Sequence, residues 1–571
     1  MGVGCSDPEV VGEGQFGRLI ALSSDPLSPL PRLVWHDGAA CPGDAGGCQS
    51  FCAGPPGSCP PGSCMPILID SGSPISILPS RDGKWSLSQE CLEVRAGGGL
   101  SSGGNPDPDT LAGTTAAFRF RDAPIVRAPP DEIGGWAWEV GDDRNPATVG
   151  GIIGGNILRD FAVEIRHGAG EQPGIAFFSS FPGSEAVLAD QGRAYIRLQY
   201  PGRLVGRLLN DLCEVGPGLD CQLSKLNLIP SNAVSAYEST RALVDACVAP
   251  PPCAVEWDRD QNRCMLARDR DASASCSDER GQSATLLVAT GVPSLVLFDD
   301  SADLLLGPVD SLPSCDALPE DSDVHGCVEG VEGRLVLPGW PPLEGLKRVR
   351  VRALALLEGL QQPSGAAPCE RLRRRLEGLE HQCRGFREVG RPVRPSPNND
   401  ESVGDAAMVF GEVTWSRGQG SPDTSRWIET LIVPAAAAPV QALRREVVPE
   451  GAQPDGLVGG ALLRQTETVL DFTEAETSPG VRVRCLNPNE QCMAVPACGA
   501  SSDDVDFPNS EGGRTSCCFG LPSNLIIEVV LSGEGKEAPR IEDECCPALS
   551  RAALKDLQSE SLGLCTGVDL P

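Results

Sequence analysis

The stretch GIIGGNILR at residues 151–159 returns as GLVGGALLR at residues 456–464. The two copies share glycine at the first, fourth and fifth positions, apolar residues at the second and third, and a final Leu-Arg. A short apolar segment follows each copy, AVEI at 162–165 and TVLD at 468–471. An element that occurs twice in one chain predicts two related halves that arose by duplication.

Each copy lies downstream of an apolar segment that contains an aspartate. In the first half this segment is ILIDSGSPISIL at 67–78, with Asp70, and in the second it is LVLFDDSADLLL at 295–306, with Asp299. The order of apolar strand, aspartate and later apolar-apolar-glycine therefore occurs in both halves.

This order resembles the pepsin-like aspartic proteases. In that family each lobe carries Asp-Thr/Ser-Gly on a sharp loop, and a later apolar-apolar-Gly segment supports the loop. Residues 70–72, Asp-Ser-Gly, match the first signature. The resemblance covers about residues 15–480 and implies a mostly β fold with two pseudo-symmetric lobes of the six-stranded type.

The resemblance implies that Asp70 and Asp299 form the catalytic pair. Two carboxyl groups that are held near hydrogen-bonding distance of each other share one proton. The ionised carboxylate acts as general base on a water molecule, and the protonated one polarises the scissile carbonyl of a peptide or protein substrate in the interlobe cleft. The residues expected to support the two loops are Ser71, Gly72, Ser301, Gly154 and Gly459.

The second loop departs from the family pattern. If Asp299 is the catalytic position, then Asp300 replaces the bracing Thr/Ser and Ser301 replaces the glycine. In the alternative register, Asp300 is catalytic and Ala302 replaces the glycine. Two hypotheses therefore stay open: an exported aspartic-type endopeptidase, or a catalytically inactive protease-like fold that acts as an envelope binding or scaffold protein.

Composition supports a fold made mostly of strands and turns. The 571 residues include 66 Gly and 51 Pro, which disfavour long helices. The formal net charge of −31 argues against nucleic acid as a partner, because a nucleic-acid binder needs basic patches to displace counterions from phosphates. No apolar run is long enough to predict a transmembrane helix.

The 25 cysteines predict disulfides and an oxidising, extracytoplasmic compartment. No CxxC pair is present, so disulfides are favoured over zinc, and neither a metal nor a cofactor is predicted. The count is odd, and the opening MGVGCSDPE resembles a bacterial lipoprotein cleavage site. Cys5 is therefore a candidate for lipidation and membrane attachment on a cell-envelope or secreted protein; the alternative is a free or intermolecular Cys5.

Four segments are expected along the chain. They are an N-terminal segment at 1–14, an N-terminal lobe at 15–188, a C-terminal lobe at 189–484 with an insertion at about 310–400, and a Cys-rich extension at 485–571. Within the second lobe, the spacing of apolar residues at 231–248 predicts a helix.

Overall fold

The structure is a computed structural model of the chain. The residues that it describes are 11–14, 20–21, 32–36, 49–51, 64–80, 86–95, 116–128, 138–142, 147–166, 174–179, 193–198, 241–249, 255–258, 263–266, 281–318, 324–337, 340, 342–357, 367–372, 407–411, 424–447, 453–460, 466–472, 480–485 and 492–495. Cys5 and most of the Cys-rich extension lie outside these residues.

Strands dominate the described residues, which confirms the mostly β prediction. In chain order they are β1 (Val11–Gly14), β2 (Ile20–Ala21), β3 (Arg32–His36), β4 (Gln49–Phe51), β5 (Cys64–Ile69), β6 (Ile77–Pro79), β7 (Ser86–Arg95), β8 (Ala116–Ala128), β9 (Trp138–Asp142), β10 (Ala147–Val149), β11 (Gly151–Ile153), β12 (Ala162–Arg166), β13 (Gly174–Phe178), β14 (Arg193–Arg197), β15 (Leu243–Val248), β16 (Val255–Asp258), β17 (Arg263–Leu266), β18 (Gln282–Val288), β19 (Leu295–Phe298), β20 (Gly326–Val336), β21 (Leu343–Val351), β22 (Ala353–Leu357), β23 (Ala407–Gly411), β24 (Ile428–Val433), β25 (Gly456–Val458), β26 (Thr466–Asp471), β27 (Gly480–Cys485) and β28 (Cys492–Val495).

The helices of the described residues are short. They are α1 (Gly155–Leu158), α2 (Asp299–Leu306) and α3 (Ala438–Val447), with single 3₁₀ turns at Val309–Ser311, Cys315–Ala317 and Thr424–Arg426. None of the described helices has the length and apolar character needed to cross a membrane.

An eight-stranded sheet is built from strands in the first part of the chain. Its order is β1-β8-β6-β11-β5-β3-β4-β7, and β7 also pairs with β8, so the sheet closes on itself. The last three residues of β5, at 67–69, are fully buried, as expected for a continuous apolar run in a strand covered on both faces. Because β11 pairs with β5 in parallel, the GIIGG segment lies directly beside the strand that precedes Asp70.

A twelve-stranded sheet contains most of the later strands. Its order is β10-β9-β20-β21-β24-β19-β25-β18-β15-β22-β23-β28. Strands β20, β21 and β22 fall in the region expected as an insertion at about 310–400, yet each has a neighbouring strand on both sides in this sheet. These three strands therefore belong to the sheet, and the bounds of the expected insertion stay a prediction.

Strand β15 replaces part of the helix that the sequence predicts at 231–248. All six residues of Leu243–Val248 are buried, and the strand pairs with β18 on one side and β22 on the other. Hydrogen bonding and burial on both sides outweigh the weak local preference for a helix. Residues 231–240 of the predicted helix lie outside the described part.

A six-stranded sheet joins strands from both halves of the chain, in the order β14-β27-β26-β12-β13-β2. Buried residues of this sheet belong to the same hydrophobic cluster as residues of the eight-stranded sheet, and four aromatic side chains of that cluster pack together. Their ring centroids lie between 5.0 and 6.2 Å apart, mostly edge to face; they are Phe118, Phe120, Phe161 and Phe177. Such contacts add to the free energy of burying the rings.

Two disulfides lie within the described residues, which fits an oxidising and non-cytoplasmic compartment. Cys247 of β15 is bonded to Cys369, and Cys315 is bonded to Cys327 at the start of β20. The first bond holds a helical turn at 368–372 against the edge of the core.

Candidate active site

Two turns meet at the centre of the candidate site. Residues 70–72, Asp-Ser-Gly, follow β5, and residues 289–291, Ala-Thr-Gly, follow β18. Strand β5 pairs in parallel with β11 from Ile67–Gly151 onward, and β18 pairs in parallel with β25 from Leu286–Gly456 onward. Asp70 lies three residues after Ile67, and Ala289 lies three residues after Leu286. Ala289 is therefore the counterpart of Asp70.

The backbone hydrogen bonds of the two turns support this correspondence. The Asp70 N–H donates to the last carbonyl of β11 at 2.9 Å, and the Ala289 N–H donates to the last carbonyl of β25 at 2.9 Å. Within each turn, the N–H three residues on returns to the first carbonyl, at 3.2 Å to Asp70 O and at 3.1 Å to Ala289 O. The two turns therefore have the same backbone arrangement.

Ser71 and Thr290 tie the two turns together through four hydrogen bonds. The Ser71 N–H donates to Thr290 Oγ1 at 3.0 Å, and the Thr290 N–H donates to Ser71 Oγ at 3.2 Å. Each hydroxyl then donates across to the strand that precedes the other turn, Ser71 Oγ to Val288 O at 3.0 Å and Thr290 Oγ1 to Ile69 O at 2.8 Å. This reciprocal set satisfies buried polar groups on both turns.

Glycines allow the two turns to approach each other closely. A Cβ on Gly72 would lie 2.5 Å from the Ala289 methyl, and a Cβ on Gly291 would lie 2.4 Å from the Asp70 carboxyl carbon. Both distances are too short for real side chains. The carboxyl group therefore packs on the glycine of the opposite turn, as the alanine methyl does in the other direction.

Asp70 is the acidic side chain at this centre. Its Oδ1 accepts hydrogen bonds from Gly72 N at 2.8 Å and from Gly291 N at 3.0 Å, and the residue is only 8% exposed. Burial raises the pKa of Asp70 above its usual range, although the two backbone donors and the Arg241 guanidinium act in the opposite direction.

The repeated glycines lie beneath the two turns. Gly154 is packed so closely that a Cβ would lie 2.2 Å from Ile75 O, and a Cβ on Gly459 would lie 2.0 Å from Ala289 O. The residue after each glycine donates to the turn above it, Gly155 N to Ser73 O and Gly460 N to Val292 O, both at 2.7 Å. The expected loop-supporting positions Gly154 and Gly459 are thus both in contact with the turns.

Asp299, Asp300 and Ser301 are not brought to Asp70. They form the first turn of helix α2, in which Asp299 and Asp300 are exposed and Ser301 is buried, and acidic side chains there are favoured by the helix dipole. Asp299 Oδ1 accepts from Ala435 N at 2.8 Å, and Ser301 Oγ donates to Asp455 at 2.7 Å. Both oxygens of Asp300 accept from Arg444, at 2.7 and 2.8 Å, and these hydrogen bonds lower the pKa of Asp300.

The sequence prediction placed the second catalytic aspartate after β19, whereas the second turn follows β18. Strand β19, which ends before Asp299, corresponds to β6 after the first turn, since Val296 pairs with Leu457 as Ile77 pairs with Ile152. The second turn therefore begins at Ala289, ten residues before Asp299. Comparing LLVATGVPSLVL at 286–297 with ILIDSGSPISIL at 67–78 would have found it, because the two share Leu, Gly, Pro and Leu at matched positions.

A pocket of about 110 Å³ opens beside the two turns. Its polar side is formed by Asp70 and Arg241, which are the ionisable side chains among its described lining residues. Its walls come from the loop after Asp70, from the connection between β20 and β21, and from α3. The apolar side chains that face it include Ile75, Val292, Leu337, Trp340, Ala442 and Leu443.

Arg241 stands next to the position of Ala289. The β15–β18 register pairs Leu243 with Leu287, and extending it by two residues places Arg241 opposite Ala289. Its guanidinium donates from Nη1 to the carbonyl oxygen of Gly72. No motif pointed to this arginine, because a single Arg ahead of a strand carries no sequence signal.

No protein family model matches the chain, and no curated protein matches it by sequence. Solved structures similar to it include an aspartic proteinase from Irpex lacteus, with 9% identity, a TM-score of 0.27 and coverage of 83% of this chain and 98% of that one. Basic 7S globulin from soybean is similar at 10% identity and a TM-score of 0.28, over 83% of this chain and 94% of the globulin. Conglutin gamma from lupine seeds is similar at 8% identity and a TM-score of 0.29, over 84% of this chain and 95% of conglutin gamma.

All three TM-scores lie below 0.5, so the chemistry of the site is interpreted from its own geometry. That geometry provides one buried carboxyl, one arginine and an apolar pocket. At the matched positions of the two turns, one residue is Asp70, with a carboxyl group, and the other is Ala289, with a methyl group.

Proposed function

We propose that this chain is a protease-like binding protein that takes a peptide in the pocket beside Asp70 and does not hydrolyse it. The observation that carries the proposal is Ala289. An aspartic dyad needs a second carboxyl group to share a proton with the first. The alanine methyl can neither hold a proton nor hydrogen-bond a scissile carbonyl.

The retained framework supports descent from a two-lobed, pepsin-like architecture. The turns at 70–72 and 289–291 keep the same register, the same backbone bonds and a reciprocal hydroxyl pair. In this interpretation the eight-stranded and twelve-stranded sheets are the two lobes, and the six-stranded sheet joins them. A framework of paired turns and an adjoining pocket, with alanine at one of the two matched positions, favours binding over catalysis.

The disulfides support an extracytoplasmic location for this binding function. In such a compartment an unfolded or processed peptide is an available ligand. Attachment through a lipidated Cys5 stays a prediction.

The first test is cleavage of an unfolded protein substrate across the acid and neutral pH range, with wild type and Asp70→Asn side by side. We expect no cleavage that depends on Asp70. Cleavage by folded wild type that is lost in Asp70→Asn would overturn the proposal.

The second test is peptide binding, measured by titration calorimetry with Ala442→Phe and Leu304→Phe. Ala442 lines the pocket, so a phenyl ring there fills much of its volume and is expected to weaken binding by about tenfold or more. Leu304 is 79% exposed on α2 and does not line the pocket, so the matched control should bind as wild type does. Equal binding by both folded variants would place the peptide elsewhere.

A further inference from the structure

The small volume of the pocket limits what can enter it. Its roughly 110 Å³ compares with about 300–1,000 Å³ for a typical small-ligand site. It is nearer to a cavity of about 150 Å³ that holds one benzene-sized group. The pocket therefore has room for a single side chain and the polar group beside it, and the end of a peptide meets this limit better than its middle.

The polar side of the pocket offers donors of the kind that recognise a carboxylate. Arg241 carries a guanidinium whose planar fork matches two carboxylate oxygens. Its bond to the Gly72 carbonyl fixes the guanidinium at the floor of the pocket. Ala289 and Arg241 both line this pocket, so a ligand in it would contact the methyl group and the guanidinium.

The second ionisable group of the pocket is Asp70, and its surroundings decide which ligand charge is accepted. Oδ1 is already occupied by two backbone N–H groups. Burial favours the neutral carboxyl by raising its pKa, and a neutral carboxyl can donate a hydrogen bond to an anion. Among the described lining residues, protonation of Asp70 leaves Arg241 as the charged side chain. A cationic ligand would face that charge, whereas an anionic ligand is attracted by it.

We propose that this pocket recognises the free C-terminal carboxylate of a peptide whose last side chain is apolar, with Arg241 as the residue that determines specificity. The carboxylate lies against Arg241 and Asp70, and the last side chain packs between Ile75, Trp340 and Leu443. This inference rests on the proposed peptide-binding function and names its ligand class.

The proposal has a definite pH dependence. Among the described pocket residues, the groups that face a bound carboxylate are Asp70 and Arg241. Ionised Asp70 repels the ligand, so binding weakens as pH rises through the pKa of Asp70. The ligand loses its own charge below a pKa of about 3.5, so binding is strongest between these two values.

The test compares two peptides, acetyl-Ala-Ala-Leu with a free C-terminus and the same peptide as a C-terminal amide. On wild type, over a pH series from about 4 to about 7.5, the free acid is expected to bind about tenfold tighter or more at the pH where its binding is strongest, as for a charge-assisted hydrogen bond. Equal binding of the two peptides would overturn carboxylate recognition while leaving peptide binding intact. Binding of neither peptide to folded protein would overturn the proposed function as well. This comparison needs no variant.

Two variants assign the recognition to its residues. Arg241→Gln is expected to abolish the preference for the free acid. Asp70→Asn keeps a neutral donor at every pH, so it should keep the preference and bind equally well at about pH 5 and about pH 7.5. A preference that survives in folded Arg241→Gln, or that disappears in Asp70→Asn, would contradict the assignment.

Discussion

Ala289 and Asp70 occupy matched positions but give the site opposite properties. The carboxyl group of Asp70 accepts from the N–H groups of both turns, Gly72 on its own and Gly291 on the other. The Ala289 methyl accepts from neither. Asp70 therefore accepts the hydrogen bonds from both Gly72 N and Gly291 N, which a pair of carboxyl groups would divide between them.

Restoring the second carboxyl group tests whether the framework still supports catalysis. In the double variant Ala289→Asp with Arg241→Gln, the new carboxyl would lie against Gly72 as Asp70 lies against Gly291. Removing the arginine lets the two acids share one proton. We expect Asp70-dependent cleavage of an unfolded protein at acid pH from this variant, and none from wild type.

The matched control is Ala289→Asn with Arg241→Gln, which has the same shape but cannot ionise. Cleavage should be confined to the aspartate variant and should be lost on adding Asp70→Asn. If the folded aspartate and asparagine variants behave alike, then a carboxyl group at position 289 is not sufficient for cleavage.

The sequence located one half of this site and not the other, for a reason that these residues show. Asp70 was found because an acid follows an apolar strand, and the same rule led to Asp299. At the second turn the acid is absent, so a search guided by carboxylates passes over Ala289. The hydroxyl and glycine at 290–291 were still present, and strand register was needed to align them with Ser71 and Gly72.

At the scale of elements, the two turns depend on the hydroxyl pair that joins them. Thr290→Val keeps the shape of the side chain but leaves the Ser71 N–H and Ile69 O without their partner. Leaving two buried backbone groups unsatisfied should lower the free energy of unfolding by about 2–4 kcal/mol. The measurement is denaturant unfolding of the folded variants.

The control for this prediction is Thr430→Val in β24. Thr430 is also buried, at 3% exposure, but its hydroxyl bonds only to Ile428 O within its own strand. Its loss should cost about 1 kcal/mol. Equal losses for Thr290→Val and Thr430→Val would mean that the cross-turn bonds do not couple the two turns.

Strand existence was easier to predict than strand pairing. The apolar runs of β5, β12 and β26 can be identified from the amino-acid sequence alone. However, the helical spacing at 231–248 gave way to β15, because its neighbours β18 and β22 come from distant parts of the chain. A strand whose partners are far away carries little local signal of where it belongs.

At the scale of the whole molecule, the two halves meet at the segments that follow the repeated glycines. Strand β12 follows the first copy, β26 follows the second, and the two pair with each other in antiparallel from Ala162–Asp471 to Arg166–Glu467. The sequence predicts both strands but not that they pair. The six-stranded sheet therefore couples the segments that support the two turns.

The buried carboxyl of Asp70 should weaken the whole fold at neutral pH. Its folded pKa is raised above the ordinary 3.8, so the folded state holds the proton more tightly than the unfolded state. The stability that follows is present below about that value and is lost as pH rises through the folded pKa. Asp70→Asn cannot ionise and keeps an oxygen for Gly72 and Gly291. We therefore expect it to unfold at a higher temperature than wild type at neutral pH, with the difference closing in acid.

Asp300→Asn is the matched control with the opposite sign. Arg444 lowers the folded pKa of Asp300, so its contribution to stability is present at neutral pH and is lost as pH falls through that lowered pKa. Thermal unfolding of both variants and wild type across an acid-to-neutral pH series should give shifts in opposite directions. Because Asp300 is half exposed, its shift should also shrink in high salt, while that of the buried Asp70 should not. A destabilised Asp70→Asn at neutral pH would mean that the ionised carboxylate is held by Arg241 more strongly than burial disfavours it. In that case the folded pKa of Asp70 would lie below its ordinary value. Asp70 would then be ionised at every pH at which a ligand carboxylate is ionised, and such ligands would be excluded from the pocket.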